Sequence, residues 1–71
     1  MKYNAKKFGS NVREVRRARA ISQDQLALRA GIDRSYMGRI ERGQVNITLE
    51  KVYRLAEALG WDVRELLPLE T

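Results

Sequence analysis

Three arginines, a serine and a glycine fall on one side of a short stretch of the chain. At helical spacing, about 100° per residue, Arg34, Ser35, Gly38, Arg39 and Arg42 lie within roughly 140° of one another, with Tyr36, Met37 and Ile40 opposite. A guanidinium is a planar fork of donors that matches the O6 and N7 of guanine or a pair of phosphate oxygens. Serine and glycine beside it leave room for close approach. A helix with this face suits the major groove of duplex DNA, and the competing interpretation is a solvated face that happens to be basic. Other chemistry finds less support. The chain has no His and no Cys, which removes imidazole and thiolate ligands, a zinc finger, a disulfide framework and His-dependent proton transfer. It also lacks a phosphate-cradling glycine loop and paired carboxylates beside a pocket-forming length of chain. These absences argue against an enzyme, and no cofactor or metal is expected.

The elements that would position this face are marked by their ends. Helix starts are signalled by a polar cap with an apolar residue just before it and another five positions later, the hydrophobic staple. Ser22 has Ile21 and Leu26, and Gln25 completes a capping box. Asp33 has Ile32 and Met37, Thr48 has Ile47 and Val52, and Asp62 has Trp61 and Leu66 with Glu65 at the box position. Asn4, with Tyr3 and Phe8, is a weaker case. Gly31, Gly43 and Gly60 stand where a left-handed residue ends a helix, and Pro68 closes the last one. The spacing predicts five helices, roughly 5–19, 23–30, 34–41, 49–59 and 63–67. No stretch alternates with period two, so the expected fold is an all-α five-helix bundle in a single domain.

The predicted inward faces are Phe8, Val12 and Val15; Leu26, Ala27 and Ala30; Tyr36, Met37 and Ile40; Leu49, Val52, Leu55, Ala56 and Leu59; and Leu66 with Leu67. Only a few residues around Gly31 separate the second and third helices. That tight connection predicts a helix-turn-helix, with Ala27 small enough to let the two helices meet.

Charge is graded along the chain, which has 71 residues and a net charge of +5. Residues 1–19 hold seven bases and one acid, whereas residues 50–71 hold three bases and five acids. The basic front suits a polyanion, and Lys6, Lys7, Arg13 and Arg17 would add long-range attraction. No apolar run approaches a membrane span of about 20 residues.

The segments Ser22-Gln-Asp-Gln-Leu-Ala27, Gly31-Ile-Asp-Arg-Ser35, Ile40-Glu-Arg-Gly43 and Leu55-Ala-Glu-Ala-Leu-Gly60 together resemble the Xre/Cro-repressor type of bacterial and phage transcription regulators, over about residues 8–67. Within that type, Asp33-Arg-Ser-Tyr36, Ile40-Glu-Arg-Gly43 and Asn46-Ile-Thr48 look like the controller proteins of restriction–modification systems. The resemblance implies a lambda-repressor-like DNA-binding domain that regulates transcription on double-stranded DNA in the cytoplasm. It places Arg34, Ser35 and Arg39 at base-facing positions, with Arg34 nearest the helix N-terminus. It places Gln23 on the DNA backbone, and Arg42, Gln44 and Asn46 in a loop laid along phosphates. Thr48 fits a helix cap with a backbone N–H to offer. Tyr36 fits either the core or a phosphate, and Gly38 either close approach to DNA or mere tolerance. Arg16 and Glu41 match a partly buried ion pair joining the first and third helices; the alternative leaves both in solvent.

The resemblance also implies a homodimer on a palindromic operator, with half-sites about 34 Å apart. Trp61, Val63, Leu66, Leu67 and Leu69 exceed what a short terminal helix needs and, with Tyr53 beside them, are the expected dimer face; the alternative is that Trp61 and Leu66 only staple the last helix onto the core. Whether such a protein excludes RNA polymerase from a promoter or recruits it stays open. Two other roles remain: an antitoxin-type autorepressor, and a helix-turn-helix module that docks a protein.

Overall fold

A computed structural model describes residues 3–68. Four α-helices run in chain order as α1 (Ala5–Ala18), α2 (Gln23–Ala30), α3 (Arg34–Glu41) and α4 (Leu49–Leu59), followed by a single 3₁₀ turn over Val63–Glu65. Among the described residues there is no strand. The caps sit at Asn4, Ser22, Asp33, Thr48 and Asp62, and each side chain accepts a hydrogen bond from the first turn that follows it. At Ser22 the full capping box forms, with Gln25 N–H donating to Ser22 Oγ and Ser22 N–H donating to Gln25 Oε1. Gly31, Gly43 and Gly60 all have positive φ, between 62° and 72°.

The expected fifth helix is a correction. Between the Asp62 cap and Pro68 there is room for one turn, and a proline disfavours the α conformation in the residue before it. The segment therefore closes with i→i+3 bonds, from Glu65 N–H to Asp62 O and from Leu66 N–H to Val63 O. The second capping box does not form either. Arg64 claims the Asp62 carboxylate through its backbone N–H and its guanidinium.

The core is one cluster. Phe8 and Val12 of α1, Leu26 and Ala27 of α2, Met37 and Ile40 of α3, and Leu55 and Leu59 of α4 meet there, with Leu66 beneath them. The helix α1 packs on α3, and α2 packs on both α3 and α4. Tyr36 and Leu67 are half-buried at its edge. Leu49, expected inside, is exposed, because it opens α4 at the shoulder of the inward stripe that starts with Val52.

Two long-range sets of contacts join α1 to the segment that follows α4. Asn11 Nδ2 donates to the carbonyls of Leu66 (3.1 Å) and Leu67 (3.3 Å). Arg19 Nη2 donates to Gly60 O at 2.7 Å, and its guanidinium lies 4.9 Å from the Trp61 ring centre. Between α1 and α2, Ala20 takes a left-handed φ of 57°, a corner that a non-glycine residue adopts at some cost.

Candidate nucleic-acid interface

Gly31 makes the turn between α2 and α3. Its left-handed backbone lets Ile32 N–H donate back to Ala27 O at 2.9 Å, which closes α2 before Asp33 opens α3. Buried Ala27, Ile32 and Met37 hold the two helices together. The opposite side of α3 then points to solvent: Arg34, Ser35, Arg39 and Arg42 are all exposed.

Each of these side chains has a neighbour. The Arg34 guanidinium lies 3.0 Å from the Asp24 carboxylate in the first turn of α2, both largely in solvent. Exposed pairs contribute only about 0–1 kcal/mol, so this one yields readily to a competing acceptor. The Ser35 hydroxyl donates to the Asp33 carboxylate. That bond, with the backbone N–H of Tyr36, holds the Asp33 carboxyl below its ordinary pKa. It also leaves Ser35 with acceptor lone pairs only, which suit an amino donor on a base. Arg39 lies over one part of the Tyr36 ring at 5.9 Å, and Lys51 of α4 approaches the same ring at 5.1 Å. Tyr36 packs its ring against the core edge and carries these two cations.

Behind this face sits a buried carboxylate. The Glu41 side chain has 0% exposure and that of Arg16 has 12%. Arg16 grips it with two bonds, Nε to Oε2 at 2.7 Å and Nη2 to Oε1 at 3.0 Å, and its Nη1 donates to Ile21 O. Arg13 approaches Oε1 at 3.4 Å, and Gln23 Nε2 donates to the same oxygen at 3.1 Å. Glu41 thus joins α1, α2 and α3. The family resemblance implies the Arg16–Glu41 pair and a phosphate role for Gln23, and the charge pattern offers Arg13 only for long-range attraction; neither extra contact is among those expectations. Local spacing carries no signal for these extra contacts, since the partners are 28 and 18 positions apart.

Burial pushes the Glu41 carboxyl up. The hydrogen bonds from Arg16 and Gln23, the Arg16 charge and the Arg13 bond together outweigh it, and the group rests below its ordinary pKa. The Glu41 bond in turn raises the Arg16 pKa. A depressed carboxyl stabilises the fold above the pKa of the unfolded chain and loses that contribution as pH falls through the folded value. The stability gap between wild type and Glu41→Gln should therefore be full at pH 6–7, which lies about 2 units above the reference for Glu, and should shrink as pH drops below the normal carboxylate range. Urea midpoints at several pH values measure it, and a gap constant down to strongly acidic pH would contradict the buried ion pair.

The loop after α3 is set by Gly43, whose φ of +72° turns the chain. A Cβ there would lie 2.6 Å from the Lys6 Cα, so the loop also abuts the start of α1 too closely for any side chain. Gln44 N–H caps the helix by donating to Arg39 O. Val45 and Ile47 pack partly on the core, while Gln44, Asn46 and Thr48 face solvent. Thr48 Oγ1 accepts from Lys51 N–H as the α4 cap. Arg42 Nε donates to Gln44 Oε1 at 3.1 Å.

The expected dimer face comes out altered. Tyr53 and Trp61 are exposed, and Val63 and Leu67 are half-buried. Leu66 is fully buried in the core and offers no surface to a partner, which corrects its placement. Leu66 turns inward, while the Trp61 indole stays outside against the Arg19 guanidinium. Leu69 lies outside the described residues. Leu49 is also exposed, one turn before Tyr53 on α4.

Comparison with known proteins agrees with this geometry. Residues 12–66 match the helix-turn-helix family HTH_3. The chain is 35% identical over 65 residues to the control protein C.BamHI of Bacillus amyloliquefaciens, covering 90% of this chain and 80% of that one. It is 44% identical over 60 residues to the control protein C.SmaI of Serratia marcescens, covering 84% and 71%. The crystal structure of the restriction-modification controller protein C.AhdI from Aeromonas hydrophila superposes with a TM-score of 0.86 at 48% identity, covering 89% of this chain and 96% of that one. The chain belongs to the HTH_3 helix-turn-helix family, and within it resembles the controller proteins of restriction–modification systems.

Proposed function

We propose that this protein is a sequence-specific duplex-DNA-binding regulator of transcription, of the controller type, that inserts α3 into the major groove. The observation that carries this reading is the exposed Arg34, Ser35 and Arg39 face of α3, flanked by Gln23 and by Arg42 with Gln44. Arg34 and Arg39 are the base readers, and Ser35 accepts from a base amino group. Gln23, Arg42, Gln44 and Asn46 hold phosphates, aided by the free N–H groups at the start of α2. Tyr36 supports Arg39, and Lys51 adds positive charge beside it. Thr48 caps α4 and presents its backbone to the same side.

The functional unit is a homodimer joined through exposed and half-buried apolar residues after the recognition helix: Leu49, Tyr53, Trp61, Val63 and Leu67. Two copies place two α3 helices on half-sites about 34 Å apart. On a promoter the bound dimer either blocks RNA polymerase or helps it bind, according to where the operator lies. The operators of a controller would lie beside restriction and modification genes.

Selection of bound duplexes from a random pool at physiological salt tests this. The expected result is a palindromic consensus with the stated spacing. No enrichment over repeated rounds would overturn the reading and leave protein docking. On the selected site, Arg34→Ala should cost about 1–3 kcal/mol and relax one base position. Arg42→Ala should weaken binding to selected and random duplexes alike and make the salt dependence shallower by about one unit. Identical behaviour of the two variants on both duplexes would sink the division into base readers and phosphate contacts.

A further inference from the structure

Gly38 sits in the middle of α3, where glycine is a poor helix former compared with alanine. It is buried, yet the backbone needs no glycine, because its φ is not among the positive ones. What covers it is a side chain. A Cβ placed on Gly38 would lie 3.0 Å from Arg42 Nη1, 3.8 Å from Arg42 Cζ and 3.5 Å from Gln23 Oε1. Arg42, one turn on, therefore folds its guanidinium back over the bare backbone of Gly38, and the Gln23 amide oxygen borders the same spot. On its other side Arg42 Nε donates to Gln44 Oε1. Gln23 is itself fixed, since its Nε2 donates to the buried Glu41 carboxylate.

We propose that Gly38 is a positioning residue: the space left by its missing side chain seats the Arg42 guanidinium between Gln23 and Gln44, and so builds one phosphate site from three elements. The inference rests on the DNA-binding reading above and deepens it. Arg42 is a long side chain on the surface and by itself would sample many rotamers. Packed on Gly38 and held by its Nε bond to Gln44 Oε1, with Gln23 as its neighbour, it meets a phosphate already in place, with Nη donors left to give. The small residue in α3 then serves a neighbouring arginine, not the close approach of a base.

The effect of Gly38→Ala on folding and on binding should differ in sign. The new methyl meets the far end of a flexible side chain, which swings away, while the helix gains a better former. Binding loses the seated guanidinium. The full-length chain is compared as wild type, Gly38→Ala, Arg42→Ala and the double variant. The readouts are thermal unfolding and fluorescence anisotropy on two labelled duplexes of equal length, one selected and one random, over a range of salt.

The expected result for Gly38→Ala is a Tm at or above wild type. Affinity for both duplexes should fall about tenfold, equivalent to about 1.4 kcal/mol, with a salt slope shallower by about one. In the Arg42→Ala background the glycine substitution should add nothing. A raised Tm with unchanged affinity would mean that the glycine is merely tolerated, and a lowered Tm would mean that it is needed for packing; either overturns the proposal. Fully additive losses would also overturn it, by showing that Gly38 acts on DNA without Arg42. If the wild type binds neither duplex, the DNA-binding reading itself falls and takes this one with it.

Discussion

Glu41→Ala should lower the stability of the fold by about 3–5 kcal/mol, the cost of breaking a buried ion pair from one side. The Glu41 side chain is fully buried, and Arg16 has little access to water. After the substitution Arg16 keeps one bond, to Ile21 O, and its remaining donors face a cavity. Arg13, more exposed, turns to solvent at little cost, so most of the penalty comes from Arg16 and from the lost packing. A domain of this length has a total stability of about 4–10 kcal/mol. The variant should therefore lose a large share of its stability and unfold at a clearly lower urea concentration than wild type. Glu41→Gln keeps the shape and one acceptor, and should lose less. Arg16→Met removes the other charge, and with Glu41→Gln it should recover part of the loss, because two neutral partners leave no unpaired charge. Equilibrium urea unfolding decides the matter. A loss for Glu41→Ala under about 1 kcal/mol would match a solvated pair and contradict the geometry. Among folded variants, those that release Gln23 should also bind DNA more weakly, since Glu41 is what holds its amide.

Gly9→Ala should destabilise the protein by about 1–3 kcal/mol, although alanine is the better helix former by about 1 kcal/mol. Gly9 lies inside α1, where nothing in the local backbone asks for glycine. The demand comes from α3: a Cβ on Gly9 would lie 2.4 Å from Ile40 O, 2.7 Å from Glu41 O and 2.9 Å from Glu41 C. All three are backbone atoms, so no rotamer change relieves the overlap, and α1 must move off the last turn of α3. That shift would also stretch the Arg16 bonds to Glu41. Gly9→Val, with a branched Cβ, should cost more. Gly38→Ala is the internal contrast, because the atoms that its methyl meets belong to side chains that can move. Urea midpoints for the three variants order them: a Gly9→Ala protein more stable than wild type would show that the two helices are not in backbone contact.

Much of this fold could be read before any coordinates. A helix start is a local event, settled by a polar cap and a staple within a few residues, and the caps at Ser22, Asp33, Thr48 and Asp62 are where the sequence places them. A left-handed glycine is equally local, hence Gly31, Gly43 and Gly60. The arginine face of α3 follows from helical spacing, and the Arg16–Glu41 pairing came from family likeness. The last segment was misjudged because the staple and cap at Trp61 and Asp62 announce a helix start without its length, and Pro68 leaves room for a single turn. The spacing offers Leu66 both to the core and to a partner surface, and burial assigns it to the core alone.

What the tertiary structure decided are contacts between residues distant in the chain. Gly9 against Ile40 and Glu41, Gly43 against Lys6, Asn11 on the carbonyls of Leu66 and Leu67, and Gln23 on Glu41 carry no spacing rule. Each depends on which faces of two helices meet and how closely, a question settled by packing the whole core. Periodicity and capping determine which residues become helix and which side is apolar. They leave open which backbone must come within a hydrogen's breadth of another, and in this protein that closeness is what seats α3 against α1.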